Sequence, residues 1–228
     1  MKRVPENGAM DDPREVESYD QLSRQHLGLV ERKFIQRLLH LLKGKKKPLV
    51  LDVGTGPGNI PLELARRRED ARLVAVDLSS GMLRLAREKF RGQGLTGQFR
   101  VVCAHSEHLP FRDGTFDTAY THSTLHHLAD PRPSLNEIAR VTAPGSQFLI
   151  RDLRRPPAPL VGLYVGLFGM GYDRLMKKMY RESLHAGYTF REMRAFAAGI
   201  ACAAARATRF FVTHVGIEGT AGRKNTEQ

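Results

Sequence analysis

The sequence predicts an α/β protein with a doubly wound, mostly parallel sheet of seven strands, an antiparallel C-terminal hairpin and a helical lid. Three observations carry that prediction. Short apolar runs alternate with segments of helical periodicity between residues 48 and 151. The first run ends in Gly54, Gly56 and Gly58, the pattern of a buried parallel strand that turns tightly into a helix. Two final strand-like runs, 202–207 and 210–217, are separated by a very short turn, which reads as a hairpin at the sheet edge.

The elements follow in order. Residues 1–12 are charged and polar and carry no apolar core of the signal-peptide kind. From 15 to 42, Val16, Tyr19, Leu22, Leu27, Val30, Phe34, Leu38 and Leu41 recur at helical spacing, so one or two amphipathic helices precede the first strand. Strands are expected at 48–53, 72–76, 99–103, 116–120 and 147–151. Helices are expected at 59–68 with Asn59 as N-cap, from Ser79 or Ser80 to Phe90, and at 133–141. Pro156, Pro157 and Pro159 break the pattern and open an insertion. After it, Thr189 and Glu192 form a capping-box signature for a helix to Gly199. One domain spans 1–228: a helical cap (1–44), a core (45–155), a lid (156–187), then the last helix and hairpin (188–218).

Composition bounds the function. With 228 residues the chain can bury one sizeable core. Two cysteines exclude a disulfide framework; Cys103 and Cys202 both read as buried small hydrophobes in a reducing, cytoplasmic protein. The longest apolar stretch, 159–170, is shorter than the roughly 20 residues that cross a bilayer, so no membrane span is expected. The formal net charge of +12 favours an anionic partner such as RNA. Most basic residues, including Arg66, Arg67 and Arg68, nevertheless fall on the solvated faces of helices.

The most informative constellation is Asp52-Val53-Gly54-Thr55-Gly56-Pro57-Gly58. A strand ending in glycines and opening a helix brings backbone amides close to a nucleotide-type ligand. The third glycine falls one residue short of the G-x-G-x-x-G dinucleotide spacing, and no P-loop Gly-Lys follows. Asp77, at the end of the next strand, comes about 20 residues later, where a carboxylate accepts hydrogen bonds from ribose hydroxyls.

These residues, with 77–82, Leu109-Pro110-Phe111 and Phe116-Asp117, resemble the Rossmann-like class I S-adenosylmethionine-dependent methyltransferases, in the branch that includes the ubiquinone and menaquinone biosynthesis C-methyltransferases. The resemblance covers about 45–155. It implies S-adenosylmethionine as cofactor and S-adenosylhomocysteine as product. It also implies that Gly54, Thr55, Gly56 and Gly58 hold the methionine part, with Asp52 near its ammonium. Asp77 would hold the ribose, and Leu78 and Met82 would pack on the adenine. Where the family carries an acid after the third strand, this chain has Ala104-His105-Ser106; His105 stands in for the acid, with Ser106 as a further adenine contact. Thr121 and its neighbours would meet the cofactor's amino group.

The segment Thr121-His122-Ser123-Thr124-Leu125-His126-His127 follows the fourth strand. A neutral imidazole suits proton removal from an acceptor, so His122 is the first candidate and His126 the second. His122, His126 and His127 lack a carboxylate partner, and no metal is expected. The lid is apolar, from Leu160 to Met179, which suits an apolar or aromatic acceptor; Arg151, Arg154, Arg155 and Arg181 form a candidate anion-binding rim. Tyr19 and His26 would close the other side. The reading is in-line methyl transfer to a small molecule. RNA or protein as acceptor, and cofactor binding without transfer, are the alternatives.

Overall fold

The computed structural model describes residues 3–5, 16, 20 and 29–222. Seven strands form one sheet in the order β3-β2-β1-β4-β5-β7-β6. They are β1 (Leu49–Val53), β2 (Arg72–Asp77), β3 (Phe99–Cys103), β4 (Thr118–His122), β5 (Gln147–Leu153), β6 (Ala204–Phe210) and β7 (His214–Thr220). The first five are parallel; β7 runs antiparallel between β5 and β6. The helices are α1 (Leu29–Leu41), α2 (Asn59–Arg67), α3 (Ser80–Gly92), α4 (Arg132–Val141), α5 (Val161–Phe168), α6 (Arg174–Ala186) and α7 (Phe190–Gly199).

Alternation along each strand sends side chains to opposite faces. On one face Val50, Tyr120 and Leu149 pack under Phe34 and Leu38 of α1, Leu64 of α2, and Ala86 and Phe90 of α3. On the other, Leu51, Ala119, Ile150 and Ile217 pack under Leu135 and Ile138 of α4 and Met193 and Ala197 of α7. Both faces are therefore covered, as a parallel sheet requires, and the loops at the C-terminal ends of β1 to β5 gather along one edge.

Several boundaries differ from the sequence reading. The fourth strand starts at Thr118 rather than Phe116, because Phe116 makes an isolated bridge to Thr142 and the ladder with β1 begins at Val50–Thr118. The fifth continues to Leu153, held by pairing with β7 down to His214. The hairpin strands are 204–210 and 214–220, later than expected. Gly216 and Gly219 interrupt the apolar alternation there, yet are needed: a Cβ would lie 2.1 Å from the Ile150 carbonyl oxygen at one and 2.0 Å from the Phe148 ring at the other. Gly58, not Asn59, caps α2; the Asn59 amide oxygen accepts instead from Lys89 at 2.5 Å. Cys103 is exposed, being the last residue of edge strand β3, whereas Cys202 is buried. The capping box at Thr189 and Glu192 forms as expected.

The insertion folds as two helices, with Val161 and Val165 of α5 packed on Leu184 of α6. Tyr19 and His26 lie outside the described residues. Among those described, no helix is long and apolar enough to cross a membrane, and no group of three metal-binding side chains forms.

Candidate active site

The C-terminal ends of β1, β2 and β4 enclose a cavity of about 500 Å³, within the usual range for a small-molecule site. Its floor is the glycine loop. The amides of Gly54 and Thr55 both donate to the Val76 carbonyl, at 2.8 and 3.0 Å, which ties the loop to β2. Gly54 and Gly58 lie at φ +73° and +76°, backbone that disfavours side chains. They do different work. A Cβ on Gly54 would fall 2.3 Å from the Thr124 side chain at the cavity, whereas one on Gly58 would fall 2.8 Å from Ala86 Cβ of α3. Gly58 thus lets α3 approach behind the loop and does not line the cavity.

Two carboxyls face this floor. Asp77 accepts from the Gly56 amide at 2.8 Å and from the Ser79 amide at 2.9 Å, and burial raises its pKa. Asp52 is buried and accepts from the Thr55 hydroxyl at 2.7 Å. Burial pushes its pKa up to about 7 against the opposing effects of Thr55 and Tyr120, and Asp77 adds to the rise. Asp52 is therefore poised to ionise when a cation arrives. Leu78 is half exposed and Met82 buried, and both line one wall.

Ala104, His105 and Ser106 line the wall after β3. The Ser106 hydroxyl is bonded to Ser134 at 2.7 Å, which turns it towards α4. His105 Nδ1 accepts from the Glu107 amide at 3.3 Å and lies 3.8 Å from the Glu107 carboxylate. Glu107 lines the same wall and was not picked out in the sequence; its signal was an acid two residues beyond the position where the resemblance expected one. Glu31 of α1 also lines the cavity; the helical cap was legible, but not which of its turns faces the site.

The histidine segment divides by strand face. His122 ends β4 and lines the cavity. Its Nδ1 bonds Ser123 Oγ at 3.1 Å, its ring meets Phe34 edge-on at 4.8 Å, and its Nε2 is buried with no partner among the described residues. Burial holds its pKa well below the ordinary histidine value, and His214, Arg151 and His126 push the same way, so the imidazole is neutral near pH 7. Thr121, one residue earlier, points to the opposite face, is fully buried and does not line the cavity. Ser123, at φ +55°, and Thr124 turn back into the site instead, the latter donating to the Gly54 carbonyl at 3.2 Å.

His126 does not line the cavity either. It is buried and bonded through Nδ1 to Asp152 at 2.7 Å, and the same carboxylate accepts from the Leu125 and His126 amides at 2.6 and 3.2 Å. His127 does reach the cavity. The arginine rim does not form. Arg155 is buried against Glu192, Arg154 donates to the Val212 carbonyl, Arg181 lies outside the cavity wall, and Arg151 is fully buried in the sheet. Nor do described lid residues line the cavity; α5 and α6 pack on each other and on the 211–213 turn, where Tyr164 donates to the Val212 carbonyl at 3.1 Å.

The residues present fit an adenosyl sulfonium ligand: the loop supplies close backbone approach, Asp77 a carboxylate for hydroxyls, Asp52 an acid for an ammonium, and Leu78 and Met82 an apolar plate.

Residues 51–150 match the methyltransferase domain family. The chain is 35% identical over 159 residues to a malonyl-[acyl-carrier protein] O-methyltransferase of Geobacter sulfurreducens, covering 69% of this chain and 53% of that one. It is 32% identical to a ubiquinone/menaquinone biosynthesis C-methyltransferase of the same organism, covering 62% and 56%. The chain thus spans about half the length of these relatives. Its fold is similar to that of a SAM-dependent methyltransferase from Aquifex aeolicus, with a TM-score of 0.67, 22% identity, and coverage of 92% and 99%.

Proposed function

Residues 51–150 belong to the methyltransferase domain family, and from that premise we propose that the chain binds S-adenosylmethionine and transfers its methyl group to a small molecule. The observation that carries the reading is the Gly56–Asp77 hydrogen bond across the cavity floor. It presents a half-buried carboxylate and a glycine loop to one ligand from two strands. When bound, the cofactor supplies an activated methyl on a good leaving group. The protein's part is then positioning and exclusion of water.

In this reading Gly54, Thr55 and Gly56 hold the methionine part, Asp52 its ammonium and Asp77 the ribose. Leu78 and Met82 cover the adenine. His105 and Glu107, close together on the wall after β3, take the adenine edge in place of a single acid. His122 faces the acceptor with a neutral imidazole. It takes a proton or donates one according to the tautomer set by its bond to Ser123. The relatives, a malonyl-carrier and a quinone-pathway enzyme by name, support a small acceptor. So does the pairing of surface arginines: Arg66 and Arg67 bond Glu63, and Arg68 bonds Asp70, which lessens the basic surface available to RNA. A reducing, cytoplasmic setting belongs to the same proposal.

Calorimetry with S-adenosylmethionine and S-adenosylhomocysteine, together with release of labelled methyl to candidate acceptors, tests the reading. Both ligands should bind. Failure of the wild-type chain to bind either one would overturn it.

A further inference from the structure

Eight of the ten large apolar side chains exposed among the described residues fall in two short stretches, 160–175 and 211–212. Leu160, at the N-cap of α5, and Leu163 and Leu167 within it recur at i, i+3 and i+7. They form one stripe on the side opposite Val161 and Val165, which pack on α6. Leu163 and Leu167 are 54% and 53% exposed, and Met170, in the turn that follows, is 71% exposed. Gly162 and Gly166 have open space around their missing Cβ, so this side of the helix stands open.

The second stretch is the turn between β6 and β7. It is fixed to α5 by Tyr164, whose hydroxyl donates to the Val212 carbonyl at 3.1 Å. The Arg154 amide holds it from the other end, donating to the Thr213 carbonyl at 2.8 Å. Phe211 sits at φ +52°, left-handed backbone that a bulky side chain rarely adopts. Such strain persists only where the surroundings impose it. Here it holds an aromatic ring towards solvent, with Val212 exposed beside it.

Cations flank this apolar surface. The Lys33 ammonium lies 4.6 Å from the centre of the Phe211 ring, and the Arg154 guanidinium donates to the Val212 carbonyl at 3.5 Å. From 156 to 181 one acid, Asp173, stands against Arg174, Lys177, Lys178 and Arg181, all four exposed. A second copy of the chain would not complement the surface. It would set the same cations against each other in a chain of net charge +12. An anionic lipid surface meets both needs, taking the leucines and Phe211 at its acyl boundary and the cations at its headgroups. No helix among the described residues is long and apolar enough to cross a membrane, so the contact is peripheral.

We propose that α5 and the 211–212 turn form a docking surface for an anionic phospholipid bilayer, with Phe211 at its leading edge. Helix α1 joins this surface to the cavity: Lys33 covers the Phe211 ring, and Glu31, two residues earlier, lines the cavity wall. The proposal does not depend on the methyl-transfer reading.

The chain has no tryptophan, so Phe211→Trp or Leu167→Trp gives the full chain a single reporter. With vesicles of phosphatidylcholine and phosphatidylglycerol in equal parts, emission from both reporters should shift to the blue. Brominated acyl chains should quench it, and added salt should weaken the binding. Vesicles of phosphatidylcholine alone should bind about tenfold more weakly or worse. In Leu163→Ser with Leu167→Ser, co-sedimentation with the mixed vesicles should fall about tenfold or more, while circular dichroism and the thermal melt hold. Should that variant not fold, the two tryptophan reporters decide. Failure of the wild-type chain to sediment with the mixed vesicles would overturn the proposal. Sedimentation with unshifted emission from both reporters would place binding on another basic surface and overturn it equally. A dimer in sedimentation equilibrium that the double serine variant loses would give the face to a second copy, against the proposal.

Discussion

The Gly56 amide donates to the Asp77 carboxylate at 2.8 Å, joining the loop after β1 to the end of β2. Asp77 therefore holds the loop as well as lining the cavity. Asp77→Ala should weaken S-adenosylhomocysteine binding by about 1.5–3 kcal/mol, the scale for hydrogen bonds to a charged group. Asp77→Asn, which still accepts through one oxygen, should lose less. Calorimetry on both variants checks the order; equal affinity in wild type and Asp77→Ala would remove Asp77 from the ligand site.

Asp52, with its pKa near 7 in the free protein, must be ionised to pair with an ammonium. Below about 7 it is protonated in the free site, so binding expels a proton and affinity falls as pH drops. The fall approaches tenfold per pH unit, and above about 7 the affinity is flat. Titrations in buffers of different ionisation enthalpy should report uptake by the buffer of about one proton at acid pH. Asp52→Asn should abolish that uptake.

The Asp152–His126 pair lies behind the cavity wall and orders the loop from Leu125. Burial pushes the Asp152 pKa up, but the His126 charge and hydrogen bond, the Leu153 amide and His127 bring it below the ordinary value. A depressed carboxyl contributes stability above its unfolded pKa of about 4, and that stability is lost as pH falls through the folded value. Asp152→Asn should cost about 3–5 kcal/mol at pH 7, the scale for breaking a buried pair, and flatten the acid limb of a urea-monitored stability curve. His126→Ala should not add its full effect to it. Full additivity would show that the two side chains do not act together.

Gly54 and Gly44 separate strain from crowding. Gly44 lies at φ +80° with open space around its missing Cβ, whereas Gly54 at +73° would meet Thr124. Gly44→Ala should cost about 1–2 kcal/mol, the backbone penalty alone. Gly54→Ala should cost more and weaken S-adenosylhomocysteine binding as well. Thermal melts with and without ligand read both effects.

His122 is neutral near pH 7, and it lines the cavity at the end of β4. If it donates, His122→Gln should retain turnover within about tenfold, while His122→Ala loses about a hundredfold. Cofactor affinity should hold in both. An equal loss in the two variants would make proton removal, not donation, its role.

How far the chain was legible follows from the range of each interaction. Local rules placed the glycine loop, Asp77, the Ser79 cap and the Thr189–Glu192 box, because each depends on residues within a few positions. The parallel order was legible from strand–helix alternation. The positions that misled were those whose face is set by a neighbouring strand. Thr121 and His122 are adjacent, yet only His122 reaches the cavity, since successive residues of β4 point to opposite faces of the sheet. Arg151, read as rim, proved to be the buried neighbour of His122.

By itself, the sequence determined a doubly wound sheet and the glycine loop and Asp77 that line its cavity, since periodicity and tight turns are local. Only the tertiary structure decided that His122 and His127 face the cavity while His126 locks onto Asp152, and that Arg151 is buried in the sheet. Those outcomes depend on strand register and on which helix covers each face, and both arise from contacts between residues far apart in the chain.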